Sequence, residues 1–280
     1  MKRIVSLLLG AVLLAGTVPM VQGADMTASR DCLALLKQEE GFDEYPYWDY
    51  GQWTVGYGTR CPGDRLEHYG TSGIDEQAAE ALLQSRLSGL YTELNRFADK
   101  YSLEWTQNQF DALVLFSYNC GTGWIYEQTG VFHNAIRQMA TGNDLIGSFA
   151  LWCGAGGQIR EYLLRRRLCE ANIWLNAVYS QQPPEDYCYV FYDANGGTVS
   201  SGSQGYHGTI TAEPALLPTY PGHTFLGWYT QKMGGDRVRV LDKTIHGKTL
   251  YAHWILIGPC KAARIAANAS AAGAVSFERK

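Results

Sequence analysis

Features that would tie a protein to a membrane, a metal or a nucleic acid are sparse in this chain. Beyond its first 24 residues no apolar run is long enough to span a bilayer, so no stable membrane span is expected once a leader is removed. The seven cysteines (Cys32, Cys61, Cys120, Cys153, Cys169, Cys188 and Cys260) are scattered, with no close C-x-x-C pair. That spacing speaks against a zinc site, and no cofactor is implied. A formal net charge of −4 supplies no global field to hold nucleic acid or anionic polymers. Arg165-Arg166-Arg167 is the dense basic cluster; by itself it reads as a solvated helix face, with too little basic surface around it for a nucleic-acid partner. Histidine is scarce too. Only His68 and His133 precede residue 180, and neither accompanies a Ser or Cys nucleophile motif, which disfavours Ser and Cys hydrolases.

What is present at the start points to export. Met1-Lys2-Arg3 puts positive charge ahead of an apolar run that begins at Ile4, is interrupted by Gly10 and Gly16 and meets Pro19 before spanning length. With small residues at Gly23 and Ala24, residues 1–24 read as a secretory signal peptide, and the expected location is secreted, extracellular or in the cell envelope. Export permits disulfides, and an odd cysteine count leaves at least one thiol free or paired with another chain. At 46% hydrophobic and 18% charged residues, the remainder can bury a core of one or two domains.

Composition divides that remainder. Residues 25–180 read mainly as helices, whereas 189–256 are rich in Gly, Thr, Tyr and Val with frequent turn signals. The polar, proline-bearing stretch Gln181-Gln182-Pro183-Pro184-Glu185-Asp186 reads as a linker covering 181–188, and the Ala-rich tail 257–280 is unassigned. Ser29 can cap a helix carrying Cys32, Leu33, Leu35 and Leu36, which ends at Glu39-Glu40 where Gly41 can supply a left-handed terminal residue. A segment dense in Tyr, Trp and Gly follows, and Gln52 to Tyr57 has strand character. Further helices are expected at 75–100, at 107–118 behind the capping box Thr106-x-x-Gln109, at 130–140 and at 161–175, with a glycine-rich turn at Gly154-Ala155-Gly156-Gly157. Helix, small sheet, then helices describes an α+β fold.

Hydrolysis of a glycosidic bond requires a protonated carboxylic acid beside the leaving oxygen and an ionised carboxylate in different surroundings. Glu39 and Glu40 both border the apolar face of the first helix, so either could be shielded from water; periodicity does not choose between them. Asp49 lies in an aromatic turn just before Gly51, where a carboxylate can reach a cleft and remain solvated. The plainer account makes these a helix-end carboxylate and an ordinary turn residue. Tyr45, Tyr47, Trp48 and Trp53 could stack on sugar rings or fill a small-lobe core.

Glu40-Gly41-Phe42, Tyr47-Trp48-Asp49 and Gly51-Gln52-Trp53-Thr54-Val55-Gly56-Tyr57-Gly58 resemble the signature of phage-type lysozymes. The likeness continues in Phe110-Asp111-Ala112-Leu113-Val114 with Phe116 to Gly121, similar to the family's central helix, and in Arg165 to Glu170, similar to its late Arg-Arg-x-x-Glu segment. The resemblance implies a mainly helical domain with a small β lobe acting on the glycan strands of bacterial peptidoglycan. Carried over by position, Glu40 is the general acid, Asp49 the carboxylate that activates or positions water, and Thr54 the hydroxyl that helps hold that water. Three positions depart from the pattern. The chain is one residue shorter between Asp49 and Thr54 than many relatives, Thr59 stands where His is usual, and Tyr162 stands where Gly is expected before the arginines.

Tyr189 to Val199, Tyr220 to Thr230 and Leu250 to Trp254 resemble a Listeria–Bacteroides repeat, a β-grasp-like module of surface proteins. Asn195-Gly196 is a hairpin-turn signal, and Phe191, Phe225, Trp228, Tyr251 and Trp254 are expected to fill a small core. The resemblance implies a spacer or adhesion role with a cell-surface partner. Cys188 and Cys260 bracket the module, which suggests a disulfide tying its ends. The leading expectation is thus a hydrolase of the bond between N-acetylmuramic acid and N-acetylglucosamine. A lytic transglycosylase, or a wall-binding or adhesion protein with an inactive lysozyme domain, are the alternatives.

Overall fold

The computed structural model describes residues 25–49, 51–61, 73–211 and 213–257. The leader, Cys260 and the tail from 258 onward lie outside the described residues, so the expected signal peptide and Cys188–Cys260 bond are proposals that those residues do not reach.

Helix α1 spans Arg30–Glu40, and the Ser29 hydroxyl accepts the Cys32 N–H at 3.1 Å to cap it. Gly41 ends it with φ 71° and ψ 171°. That is a glycine-only conformation but not the expected left-handed cap; its extended ψ sends the chain directly into strand β1 (Asp43–Asp49). Strands β1, β2 (Gln52–Gly56) and β3 (Thr59–Arg60) form an antiparallel sheet in sequence order.

Helix α2 (Glu76–Tyr101) buries Leu83, Leu87, Leu90, Leu94 and Phe97 at three- and four-residue spacing, the signature of one apolar stripe. Helix α3 (Gln107–Cys120) is different, because every residue from Phe110 to Tyr118 is buried. It is therefore a central helix covered on all sides. Gln109 Oε1 accepts the Thr106 N–H at 2.9 Å, the side-chain half of the expected capping box. Within α3, buried Asp111 accepts from the Ser29 N–H at 3.0 Å, from Gln107 at 2.9 Å and from the Tyr179 hydroxyl at 2.6 Å, joining three separate segments.

Around α3 pack α4 (Val131–Arg137), α5 (Gly142–Ala150) and α6 (Glu161–Asn176). The glycine-rich turn proves to be a small hairpin, β4 (Gly154–Ala155) with β5 (Gln158–Ile159). Helix α5 is absent from the sequence expectation. It opens on Gly142, a poor helix former, and Thr141 makes no side-chain cap bond, so the usual start signals are missing.

The C-terminal module is a four-stranded sheet of β6 (Tyr187–Asp193), β7 (Ser203–His207), β8 (His223–Tyr229) and β9 (Thr249–Leu256), in the order β7-β6-β9-β8. The central pair β6–β9 is parallel and the outer pairs are antiparallel, the arrangement of a β-grasp-like sheet. Asn195 (φ 47°) and Gly196 (φ 97°) make the expected turn after β6.

Strand β6 alternates two burial environments with period two. Cys188, Val190 and Tyr192 enter the module's own core with Tyr206, Trp228 and Leu250. Tyr187, Tyr189 and Phe191 face the other way and pack into the core of the helical domain. Two expectations are corrected accordingly. Phe191 serves the first domain's core, and Cys188 lies buried inside the first strand, not outside it. The strand also begins two residues inside the stretch read as linker, because a strand with two apolar faces is stable only when both are covered.

Candidate active site

Glu40 is the last residue of α1, and its carboxylate is held from across the fold. The Arg166 guanidinium of α6 donates to Glu40 Oε1 at 2.7 Å, with both side chains largely shielded from solvent. The other oxygen, Oε2, lies against Gly58, where a Cβ would sit only 3.2 Å away. Gly58 also has φ +68°, so the turn between β2 and β3 requires glycine both for its backbone and for the carboxylate beside it.

Arg166 reaches Glu170 as well, at 3.3 Å, and Glu170 in turn accepts from Arg167 at 2.7 Å. Burial opposes charge on Arg166, but Glu170 and Glu40 outweigh it and raise its pKa above the ordinary arginine value. Arg167 is fully buried and donates to Asn119 Oδ1 at 3.1 Å and to the Cys120 thiol. The basic cluster is thus no solvated face. Only Arg165 is exposed, while its two neighbours form a buried ion network reaching from Glu40 to the floor of a cleft.

That cleft, of about 550 Å³, is lined by Asp49 with Asn119, Cys120, Trp152 and Tyr162 among others. Asp49 ends β1 and pairs with Gln52, and Gly51 takes φ +99°. Two residues along the ladder, Tyr47 pairs with Thr54. Paired residues and residues two apart share a sheet face, so Asp49, Tyr47 and Thr54 lie together on one face. The shortened loop therefore keeps the carboxylate and hydroxyl in register. Thr54 is only 1% exposed, and among the described residues no group hydrogen-bonds its Oγ1.

Tyr47 lies close enough to sense both carboxylates. Burial raises its phenol pKa first, followed by the charges of Asp43, Asp49 and Glu40. Glu39 lines a small crevice with Leu35, Arg166, Cys169 and Glu170, and so lies near the same arginine; the hydrogen bond from Arg166 goes to Glu40.

Thr59, in place of the usual His, sits 3.3 Å from the Tyr118 hydroxyl, which itself donates to Tyr57 O at 2.6 Å. Arg86 covers the Tyr118 ring at 3.8 Å and donates to Gly58 O and Tyr118 O, both at 2.7 Å. These contacts clamp the glycine turn beside Glu40 to α2 and α3. The central-helix motif contains Tyr118 but gives it no role, and Arg86 is not singled out; the exposed arginine in a helix and the buried tyrosine at the end of α3 carry no local signal of their partnership. The aromatic cluster is not small-lobe core, since Tyr45, Tyr47 and Trp48 are exposed at 53%, 37% and 60%. Trp48 instead packs edge-on against half-buried Trp53.

Residues 37–170 match the phage lysozyme family, and residues 189–253 match the Listeria-Bacteroides repeat domain. The chain is 28% identical over 162 residues to an endolysin of Bacillus phage B103, covering 54% of each protein. It is 29% identical over 163 residues to an endolysin of Lactococcus phage c2, covering 55% of this chain and 63% of that one. The chain therefore spans less than two thirds of the length of these curated relatives. Among solved structures it is similar to the muramidase domain of SpmX from Asticaccaulis excentricus, at 24% identity and a TM-score of 0.45, covering 54% of this chain and 98% of that one. It is similar also to an endolysin from Escherichia coli O157:H7 phage FAHEc1, at 27% identity and a TM-score of 0.44, covering 55% and 97%. The chain thus carries a phage lysozyme family match over residues 37–170, followed by a Listeria-Bacteroides repeat match over residues 189–253.

Proposed function

We propose that the protein is a secreted muramidase that hydrolyses the β-1,4 bond between N-acetylmuramic acid and N-acetylglucosamine in bacterial peptidoglycan. Glu40 protonates the leaving oxygen, and Asp49 with Thr54 places and activates the attacking water. The observation that carries this reading is the buried Thr54 hydroxyl without a protein partner, on the same sheet face as Asp49. A hydroxyl can donate and accept at once, so it can hold a water and pass it in a fixed orientation to the carboxylate. Arg166 fixes Glu40 through one oxygen and leaves Oε2, beside Gly58, to meet the glycosidic oxygen. Exposed Tyr47, on the sheet face of Asp49, and Tyr162, in the cleft wall, offer flat apolar faces on which pyranose rings can stack.

A second carboxylate and an unpartnered hydroxyl on its sheet face favour hydrolysis over a transglycosylase reaction, in which the substrate's own hydroxyl attacks. The test is lysis of purified cell walls followed by mass spectrometry of the fragments. Reducing ends are expected, whereas anhydro ends would replace this reading with transglycosylation. Glu40→Gln should lower the lysis rate by about 10²- to 10⁴-fold with native circular dichroism, and Glu39→Gln should leave it unchanged. Equal activity of the Glu40 variant and wild type would remove Glu40 from the role of acid.

A further inference from the structure

One segment of the helical domain has two faces with different occupants. From Ala150 to Leu168, residues Leu151, Trp152, Gly154, Ala155, Tyr162 and Leu163 line the cleft that holds Asp49. The residues between them meet the repeat module. Cys153 Sγ lies 3.2 Å from Ser203 Oγ, and Glu161 Oε1 accepts from the Tyr189 hydroxyl at 2.5 Å. A Cβ at Gly205 of β7 would come within 2.8 Å of Ala150 Cβ and 3.0 Å of Leu168 Cδ2, so the sheet lies on α5 and α6 at a distance only glycine permits. At Gly202 a Cβ would stand 2.4 Å from Ile159 Cδ1, at the end of the β4–β5 hairpin.

We infer that the repeat module is a structural part of the substrate cleft: it backs the wall formed by the β4–β5 hairpin and the start of α6, and holds that wall in position for the glycan. The reason is physical. The hairpin has two residues in each strand, exposed glycines at its turn and little core of its own, so it cannot fix its own position. Its inner side has solvent and substrate, and its outer side has the module. Tyr187 and Tyr189 are built into the helical domain's core, which makes the module a covering layer and not a tethered spacer. Ser203, Tyr189 and Gly205 are accordingly positioning residues, and the assignment of the cleft to glycan rests on the muramidase reading.

Hydrogen exchange on the full chain tests this independently of activity. Gly205→Leu should force β7 off the helices and speed exchange of the 153–160 amides by about ten-fold or more, while β2 amides keep wild-type protection. Tyr189→Phe removes a single hydrogen bond and should speed the same amides by about two- to ten-fold with the fold intact. With cell walls as substrate, KM should rise in both variants more than kcat falls, because the wall positions substrate and does not take part in bond cleavage. If Gly205→Leu fails to fold, Tyr189→Phe with Ser203→Ala gives the same readout. Unchanged exchange at 153–160 in the folded variants overturns the inference, as does faster exchange there with an unchanged KM. Loss of the muramidase reading would instead appear as a Glu40→Gln variant that lyses walls normally, with the exchange result unaffected.

Discussion

Thr54→Val should make the protein more stable and much less active, and Thr54→Ser should make it less stable with near wild-type activity. The Thr54 side chain is 1% exposed and its hydroxyl has no protein partner among the described residues. Folding therefore strips water from that oxygen without returning a protein hydrogen bond, a cost of about 1–3 kcal/mol. Valine has the same branched shape, suits β2 at least as well and puts a methyl where the hydroxyl stood. A gain of about 1 kcal/mol is expected, which for a domain of this size raises Tm by about 2–4 °C. Serine keeps the hydroxyl and loses one buried methyl, for a loss of about 1 kcal/mol. Lysis should follow the opposite order, with Ser close to Thr and Val lower by on the order of 10²-fold, the usual effect of removing one placed polar group from a reacting centre. Urea unfolding and a turbidity assay on the same three proteins give both orders. A Val variant that is less stable than wild type, or that lyses walls at the wild-type rate, would refute the view that this hydroxyl is kept for water and not for packing.

The ion network gives a second prediction. Arg166→Met leaves Glu40 and Glu170 without their shared guanidinium and should lower stability by about 3–5 kcal/mol in urea unfolding, with lysis lost beyond what that explains. Arg166→Lys should recover only part of either, since an ammonium cannot bridge two carboxylates as a planar fork does; full recovery would show that charge alone matters. Burial, opposed by Arg167, pushes the Cys120 thiol up to about 11. At pH 8 its thiolate fraction, and hence its alkylation by iodoacetamide, should be about two-hundred-fold below that of an ordinary thiol. Site-resolved mass spectrometry showing rapid labelling of Cys120 in the folded protein would contradict the burial. The same shift fixes a sign. The folded state holds this proton more tightly than the unfolded chain, so its contribution to stability is complete below about pH 8.5 and is lost as pH rises toward 11.

The parts of the site that were legible in the sequence are those set by local rules. Ser29, Gly41 and the apolar spacing of Leu35 and Leu36 define α1 and so place Glu40 at its end. The aromatic, glycine-bounded run from Asp43 to Gly56 defines the β1–β2 hairpin and so places Asp49 and Thr54 in one register. The motifs marked a neighbourhood, but periodicity could not separate Glu39 from Glu40. What differs between them is the hydrogen bond that Arg166, 126 residues away, gives to Glu40, and a contact of that range leaves no trace in a local pattern. For the same reason three consecutive arginines read as a solvated face, although two of them are buried against Glu40 and Glu170.

The union of the two domains was legible in principle. Tyr187-Cys188-Tyr189-Val190-Phe191-Tyr192 has no polar residue at alternate positions. A strand with one wet face alternates; a run that is apolar on both faces needs cover on both. The module supplies one cover with Trp228 and Leu250, and it is too small to supply a second. Some other layer must meet Tyr187, Tyr189 and Phe191, and the helical domain is the one connected to it by a short segment. The complementary signal lies in α5 and α6, where Ile146, Ala150 and Leu168 are buried under Gly205 of β7. Those positions would open an apolar patch on the helical domain if the sheet were absent, and soluble domains seldom leave such a patch uncovered. A flexible spacer would need polar faces on both partners. Here both are apolar, and both meet behind the wall of the cleft that holds Asp49.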